Sequence, residues 1–333
     1  MDSRRILALV LAGGEGTRLR PLTTDYAKPA LPFVSNLRLI DFVLSNLINS
    51  KISQVYVIAQ YKPRSLITHI NATWARWSRG ERASVELVLP EVNSGAGPFK
   101  GTADAVFRNL DLIVRHSPDL VAVFAADHVY RMDIQQMVHF HRERNADVTV
   151  AAVRVGIEVA SAFGVMVTGP DGAIHEFQEK PERPPSIPED SRHAHVSMGN
   201  YIFDPCVLVG LLKEASQRNE TDFGHHLLPR MPGRQRIFAY DLMTNRVPGV
   251  QPYEEHGYWR DVGTLDALAA ARRDTLGPHP RFDLRNREWP IRPGCNAQRV
   301  PRIQQDTIQT QPISGSRPAA VPAAVDLRAG LSA

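Results

Sequence analysis

The chain has 333 residues, 43% of them hydrophobic and 22% charged, which is globular composition and excludes a disordered or membrane-dominated chain. That length allows one large domain or two smaller ones, and no apolar run reaches the roughly 18 residues of a membrane-spanning helix. The formal net charge of +4 comes without a basic run or a basic-aromatic motif, so nucleic acid is not an expected partner.

In chain order, the start "MDSRRILALVLAGG" sets arginines before a short apolar stretch, as a signal peptide does. The stretch gives way at once to glycine, Glu15 and Arg18, which suits a buried first strand feeding a loop. "RILALVLA", "QVYVIAQY", "SVELVLP", "LVAVFAA" and "VTVAAVRV" read as strands. Between them "LRLIDFVLSNLINS", "TADAVFRNLDLIVRH" and "DIQQMVHFHRERN" read as helices. This alternation predicts an α/β fold with a mostly parallel, Rossmann-like sheet and helices on both faces. A ligand site is then expected at the carboxyl ends of the strands, where the strand order reverses. Cys206 and Cys295 are far apart and have no metal-like spacing, so they signal neither a disulfide framework nor a zinc site, and a cytoplasmic home is expected. The expected domains are residues 1–275 as the catalytic domain, 276–293 as a connecting segment, and 294–333 as a Pro-, Ala- and Gln-rich tail with too little apolar surface to order itself.

The stretch after the first strand, "LAGGEGTRLRPLTTDYAKPALPF", combines flexibility with fixed positive charge. Gly13, Gly14 and Gly16 let the backbone turn tightly and aim amide groups at phosphate oxygens, and Arg18 and Lys28 add full charges. The dinucleotide fingerprint fails, because Leu19 stands where its third glycine belongs, and no P-loop pattern occurs. A plain strand-to-helix turn would also use glycines. It gives no reason for Thr17-Arg18, Pro21-Leu22-Thr23 and Ala27-Lys28-Pro29 to follow in that order.

With "RLIDFVLSNLINS", "AQYK", "GTADAV", "ADHVYRMD", "SAFGVM", "EFQEKP", "SMGNYIF", "YWRDVGTLDA" and "WPIR", these motifs resemble the sugar-phosphate nucleotidyltransferases. "RLIDFVLSN", "SMGNYIF" and "YWRDVGTLDA" point to the adenylyltransferase branch. The resemblance runs in order over about residues 5–292. It implies attack by the phosphate oxygen of glucose 1-phosphate on the α-phosphorus of ATP, giving ADP-glucose and pyrophosphate, for glycogen or a related α-glucan.

By that resemblance Gly13, Gly14, Gly16 and Thr17 would wrap the triphosphate, with Arg18 and Lys28 drawing off charge as pyrophosphate leaves. Asp127 and Asp261 would hold Mg²⁺, a hard ion that favours one or two carboxylates plus substrate phosphates. The alternative for Asp127 taken alone is a helix N-cap, for which Asp is a common choice. Glu179 and Lys180 match residues that bind the sugar hydroxyls and the phosphate of glucose 1-phosphate, although such a pair before proline is commonly a solvated one. Gly164 and Ser197 match the sugar pocket. Phe99, Gly101 and Thr102 match a region near the nucleotide, where a helix N-terminus would favour an anion, and Gln60 matches a nearby position.

Several departures bear on specificity and regulation. Val92 and Asn93 stand where the family commonly has a Gln-Gln pair, which leaves adenine specificity open. Phe99 replaces a usual tyrosine. Val34 and Ser35 replace glycines and would strain a turn, and Asn36 supplies no positive charge for an anionic activator. His225 and His226 read as solvent-facing helix residues. The resemblance stops after Arg292, and the family's left-handed β-helix domain is not expected to follow. A related enzyme using another nucleotide, or a weakly active regulatory partner of a full-length homologue, are the alternatives, and assembly into homo- or hetero-oligomers stays open.

Overall fold

The runs read as strands are strands in the computed structural model, which describes residues 5–74, 84–90, 97–188 and 190–293. They are β1 (Ile6–Ala12), β2 (Gln54–Ala59), β3 (Ser84–Val88), β4 (Leu120–Ala125) and, after the short β5 (His128–Tyr130), β6 (Val148–Gly156). Further strands are β7 (Gly164–Thr168), β8 (Ile174–Glu179), β9 (His193–Phe203), β10 (Ile237–Asp241) and β11 (Trp259–Asp261). The helices are α1 (Ile40–Asn49), α2 (Pro63–Thr73), α3 (Thr102–Phe107), α4 (Leu110–His116), α5 (Ile134–Glu143), α6 (Ile157–Ala160), α7 (Pro205–Gln217) and α8 (Leu265–Arg273). The single helix expected over 102–116 is two, because the chain breaks at Asn109, whose side-chain amide donates back to the Ala105 carbonyl at 2.7 Å.

The main sheet has the order β10-β6-β9-β4-β1-β2-β3, with β7 paired to β8 and β9. Strands β3, β2, β1 and β4 are parallel neighbours, and β6 pairs parallel with β10. Only β9 on this path runs against its neighbours β4 and β6, so the sheet is mostly parallel, as the alternation predicts. Strand β1 shows why such strands read as unbroken apolar runs. Ile6, Ala8, Val10 and Ala12 enter one core with residues of α1, α2 and α5. Leu7 and Leu9 enter the opposite core with residues of α3, α4 and α7, so helices cover both faces.

Two features of this topology position the site. Strand β1 lies between β2 and β4, so the chain order reverses there and a crevice opens at the carboxyl ends of β1 and β4. Beyond β4, β5 and β11 form a two-stranded antiparallel ribbon that sets His128 opposite Asp261. Residues 289–292 lie along α1: Trp289 Nε1 donates to Asn46 Oδ1 at 3.0 Å, Asn49 Nδ2 to the Pro290 carbonyl at 3.0 Å, and the Arg292 amide to Ser45 Oγ at 2.9 Å. Phe282 and Ile291 fill a third core with Phe33 and Phe42. Among the described residues no helix is long and apolar enough to cross a membrane. Residues 294–333, the expected tail, lie outside the described residues, as do Val92 and Asn93.

Candidate functional site

A cleft of about 500 Å³ occupies the crevice, walled by the glycine loop after β1, the ends of β2 and β4, and residues from α3, β8 and β9. Gly13, Gly14, Lys28, Phe99, Gly101, Thr102, Asp127 and Glu179 line it. The glycine loop is shaped by Gly16, which takes the left-handed conformation at φ 68° and packs so tightly that a Cβ would lie 3.0 Å from the Thr23 methyl and 3.1 Å from Lys28 Cβ. The Thr23 hydroxyl donates to the Gly16 carbonyl at 2.8 Å and pins the loop. Thr17 and Arg18 follow in a short helical turn at the rim.

Lys28 is buried, and its Nζ donates to Asp127 Oδ2 at 2.7 Å and approaches Asp261 Oδ1 at 3.5 Å. Burial alone would lower the pKa of this ammonium, but the charges of Asp127 and Asp261 outweigh it and hold the pKa above its ordinary value. Burial would raise the Asp127 carboxyl, yet Lys28 and then His128 overcome that and hold it at about 2, so the carboxylate is ionised at neutral pH. His128 Nε2 lies 3.5 Å from Asp127 Oδ1 and 3.8 Å from Asp261 Oδ1. Its ring rests edge-on against Trp259 at 5.2 Å, and its buried Nδ1 has no hydrogen-bond partner. Asp127, His128 and Asp261 form the cluster, among the described residues, whose donor atoms could hold a metal ion. Arg18 reaches the far side of Asp261: a Cβ on Gly263 would sit 2.9 Å from Asp261 Oδ2 and 3.0 Å from Arg18 Nη2.

At the other end of the cleft Glu179 is pressed between glycines. A Cβ on Gly164 would come 2.9 Å from its Oε2, and one on Gly224 2.5 Å. Lys180 Nζ donates to Glu179 Oε1 at 2.9 Å while its own side chain is 53% exposed. Ser197 is buried behind this wall, where its hydroxyl accepts from the Gly199 amide at 3.1 Å and lies 3.5 Å from the Tyr201 hydroxyl. Gly199 and Tyr201 line the cleft directly.

The structure therefore gathers the predicted residues around one cleft but in two ways. Gly16, Thr17, Arg18, Gly164, Lys180, Ser197 and Asp261 stand beside or behind the lining, whereas the other predicted residues face it. The helix N-terminus at Thr102 is not free for an anion: the Ala103 and Asp104 amides donate to the Thr221 carbonyl at 2.8 and 3.1 Å. Gly101 is needed for that contact, since a Cβ there would lie 2.4 Å from the Thr221 oxygen. Gln60 holds the Phe99 backbone, accepting its amide at 2.7 Å and donating to its carbonyl at 3.2 Å. His225 is exposed, while His226 Nδ1 accepts the Thr221 and Asp222 amides at 3.3 and 3.1 Å, a structural bond that solvent exposure does not describe. Ser35 does adopt the strained conformation expected of it, at φ 54°.

Sequence reasoning missed His128, Tyr201, Asp222 and Phe223 as members of the site. His128 carried a signal, its place directly after Asp127, but only the β5–β11 pairing brings it to Asp261. Asp222 lines the cleft and accepts the Thr102 hydroxyl at 2.9 Å, a contact that joins positions far apart in sequence.

A family model described as nucleotidyl transferase matches residues 7–277. The glucose-1-phosphate adenylyltransferase of Thermodesulfovibrio yellowstonii is 50% identical over 290 residues, which cover 87% of this chain and 71% of that protein. The enzyme of the same name from Corynebacterium jeikeium is 46% identical over 294 residues, covering 87% and 72%. Glucose-1-phosphate adenylyltransferase 1 of Vibrio cholerae is 41% identical over 288 residues, covering 86% and 70%. With this likeness along the sheet, the glycine loop and the carboxylate ribbon, the chain belongs to the nucleotidyl transferase family, among the glucose-1-phosphate adenylyltransferases.

Proposed function

We propose that the cleft transfers AMP from ATP to glucose 1-phosphate, giving ADP-glucose and pyrophosphate, in the synthesis of glycogen or a related α-glucan. The observation that carries this reading is the meeting of Lys28, Asp127 and Asp261 beside a glycine loop in a chain whose relatives bear that enzyme's name. A phosphate oxygen of the sugar phosphate bonds to the α-phosphorus as the bond from that phosphorus to the bridging oxygen of pyrophosphate breaks. Such a transfer needs in-line positioning and charge neutralisation and no protein nucleophile.

The backbone of Gly13, Gly14, Gly16 and Thr17 lies against the triphosphate, and Arg18 and Lys28 neutralise the leaving pyrophosphate. Phe99, Gly101 and Thr102 border the nucleotide. Glu179 accepts sugar hydroxyls, Lys180 pairs with the sugar's phosphate, and Gly164 and Ser197 shape that pocket. Asp127 and Asp261 would hold Mg²⁺, with His128 beside them; two carboxylates at the mouth of a phosphate site are the hard oxygen donors that ion takes. When bound, Mg²⁺ supplies Lewis-acid neutralisation of phosphoryl oxygens. We assign the enzyme to the cytoplasm, with residues 1–275 as its catalytic domain.

The test is pyrophosphate release by the purified chain with glucose 1-phosphate and Mg²⁺, with each nucleoside triphosphate offered singly and in competition. ATP should give the highest kcat/KM. A preference for another nucleotide, or no release with any, contradicts the reading.

A further inference from the structure

We infer that Lys28 is a built-in counter-cation for Asp127 and Asp261, which must release both carboxylates before a divalent cation can take them, so that metal entry is tied to the arrival of a phosphate group that receives the Lys28 ammonium. This rests on the metal role proposed above for the two carboxylates.

The ammonium is 2.7 Å from one carboxylate and 3.5 Å from the other, on a side chain only 8% exposed. Asp127 and Asp261 come from separate segments, so two like charges face each other across the β5–β11 ribbon and repel unless a cation stands between them. The other charged or titratable groups at this place are His128, at 3.5 and 3.8 Å from the same carboxylates, and Arg18 near the far oxygen of Asp261. Neither approaches them as closely as Lys28 does.

Lys28 is also held at its root. It opens the short helix Lys28–Ala30, and the packing of Gly16 against its Cβ fixes where the side chain leaves the backbone. The ammonium end can pivot and the stem cannot follow it into solvent. A buried ammonium deprived of its partners carries a large desolvation cost, and the cleft wall beside it is the glycine loop, with amides suited to phosphate. A phosphate on that loop offers the replacement anion. Metal and phosphate therefore favour each other's binding, and that coupling is reciprocal.

The experiment measures Mn²⁺ binding by calorimetry to the full chain without nucleotide, comparing the unaltered protein with Lys28→Met. The variant should bind Mn²⁺ at least about tenfold more tightly, because its carboxylates have lost their internal cation. Its melting temperature should be lower without metal and rise more on adding Mn²⁺ than that of the unaltered chain. Lys28→Gln gives the same readout should the methionine variant fail to fold. Adding Asp127→Asn to Lys28→Met should abolish the gained affinity. Equal or weaker Mn²⁺ binding by the Lys28 variants overturns this inference alone, and so does gained binding that survives loss of Asp127. If no form binds Mn²⁺ with or without ATP, the metal role falls and this inference with it.

Discussion

Asp41 and Asp127 are both carboxylates close to the central sheet, and their surroundings differ. Asp41, on α1, is fully buried and accepts from the Arg38 amide, His69 Nε2 and Trp74 Nε1, each at 2.7 Å. Asp127 lines the cleft with a side chain 31% exposed, and Lys28 Nζ at 2.7 Å is its closest side-chain donor. Arg131 and Glu254 repeat the first pattern away from the cleft: the two pair at 2.8 Å, and Glu254 also accepts the Gln251 and Asp283 amides at 2.8 Å. A buried charge whose capacity the fold has used up serves the fold. One that keeps capacity toward an open cleft is available to a ligand.

The largest effect should come from breaking a buried pair whose carboxylate is fully engaged. Glu254→Ala leaves the buried Arg131 guanidinium without its carboxylate and should cost about 3 to 5 kcal/mol of stability, read as a drop in denaturant midpoint. A loss below about 1 kcal/mol would show that the network is not what holds residues 251–283 in place.

Asp127→Asn reverses the emphasis. It should leave the fold intact at a smaller stability cost than Glu254→Ala, because the buried Lys28 loses its carboxylate at 2.7 Å but keeps Asp261 at 3.5 Å. It should also cut kcat at least about a hundredfold, since a divalent ion at the phosphoryl oxygens contributes several kcal/mol. Near-normal turnover would remove Asp127 from the site.

Lys180→Ala should be milder, because half of that side chain is already in water. We expect the KM for glucose 1-phosphate to rise about tenfold and that for ATP to change little, as the lost charge faces one substrate. An effect confined to ATP would reverse the assignment of the two cleft ends.

The smallest change should be Ser35→Gly. It relieves the left-handed backbone at φ 54° and should stabilise the chain by up to about 1 kcal/mol, part of the relief being lost to glycine's extra freedom when unfolded. A destabilised variant would mean that the serine side chain contributes something the backbone strain conceals.

The contrast also marks what was legible in the sequence. Long strands such as β1 and β4 announce themselves because parallel strands buried on both faces are continuous apolar runs. The ribbon of β5 and β11 does not, since three residues each are too few to show a period. That is why His128 escaped notice although it stands beside Asp127. The reversed direction of β9 is likewise invisible, because alternation records burial and not polarity of the chain. Lys28 and the glycines could be found from chemistry, as basic charge gathered with flexible backbone implies phosphate. Glu179, Lys180, Gly164 and Ser197 rested on family resemblance alone. The meeting of Thr102 with Asp222 depends on α3 docking on the turn at Thr221, which no local pattern encodes.

The most direct test of the account is to follow ATP labelled at its α-phosphorus through one incubation of the full chain with glucose 1-phosphate and Mg²⁺. The label should appear in a sugar nucleotide that co-migrates with ADP-glucose, with unlabelled pyrophosphate formed in equal amount. Label that remains in ATP, or that leaves as AMP with no sugar attached, would contradict the claim that this cleft joins the two substrates.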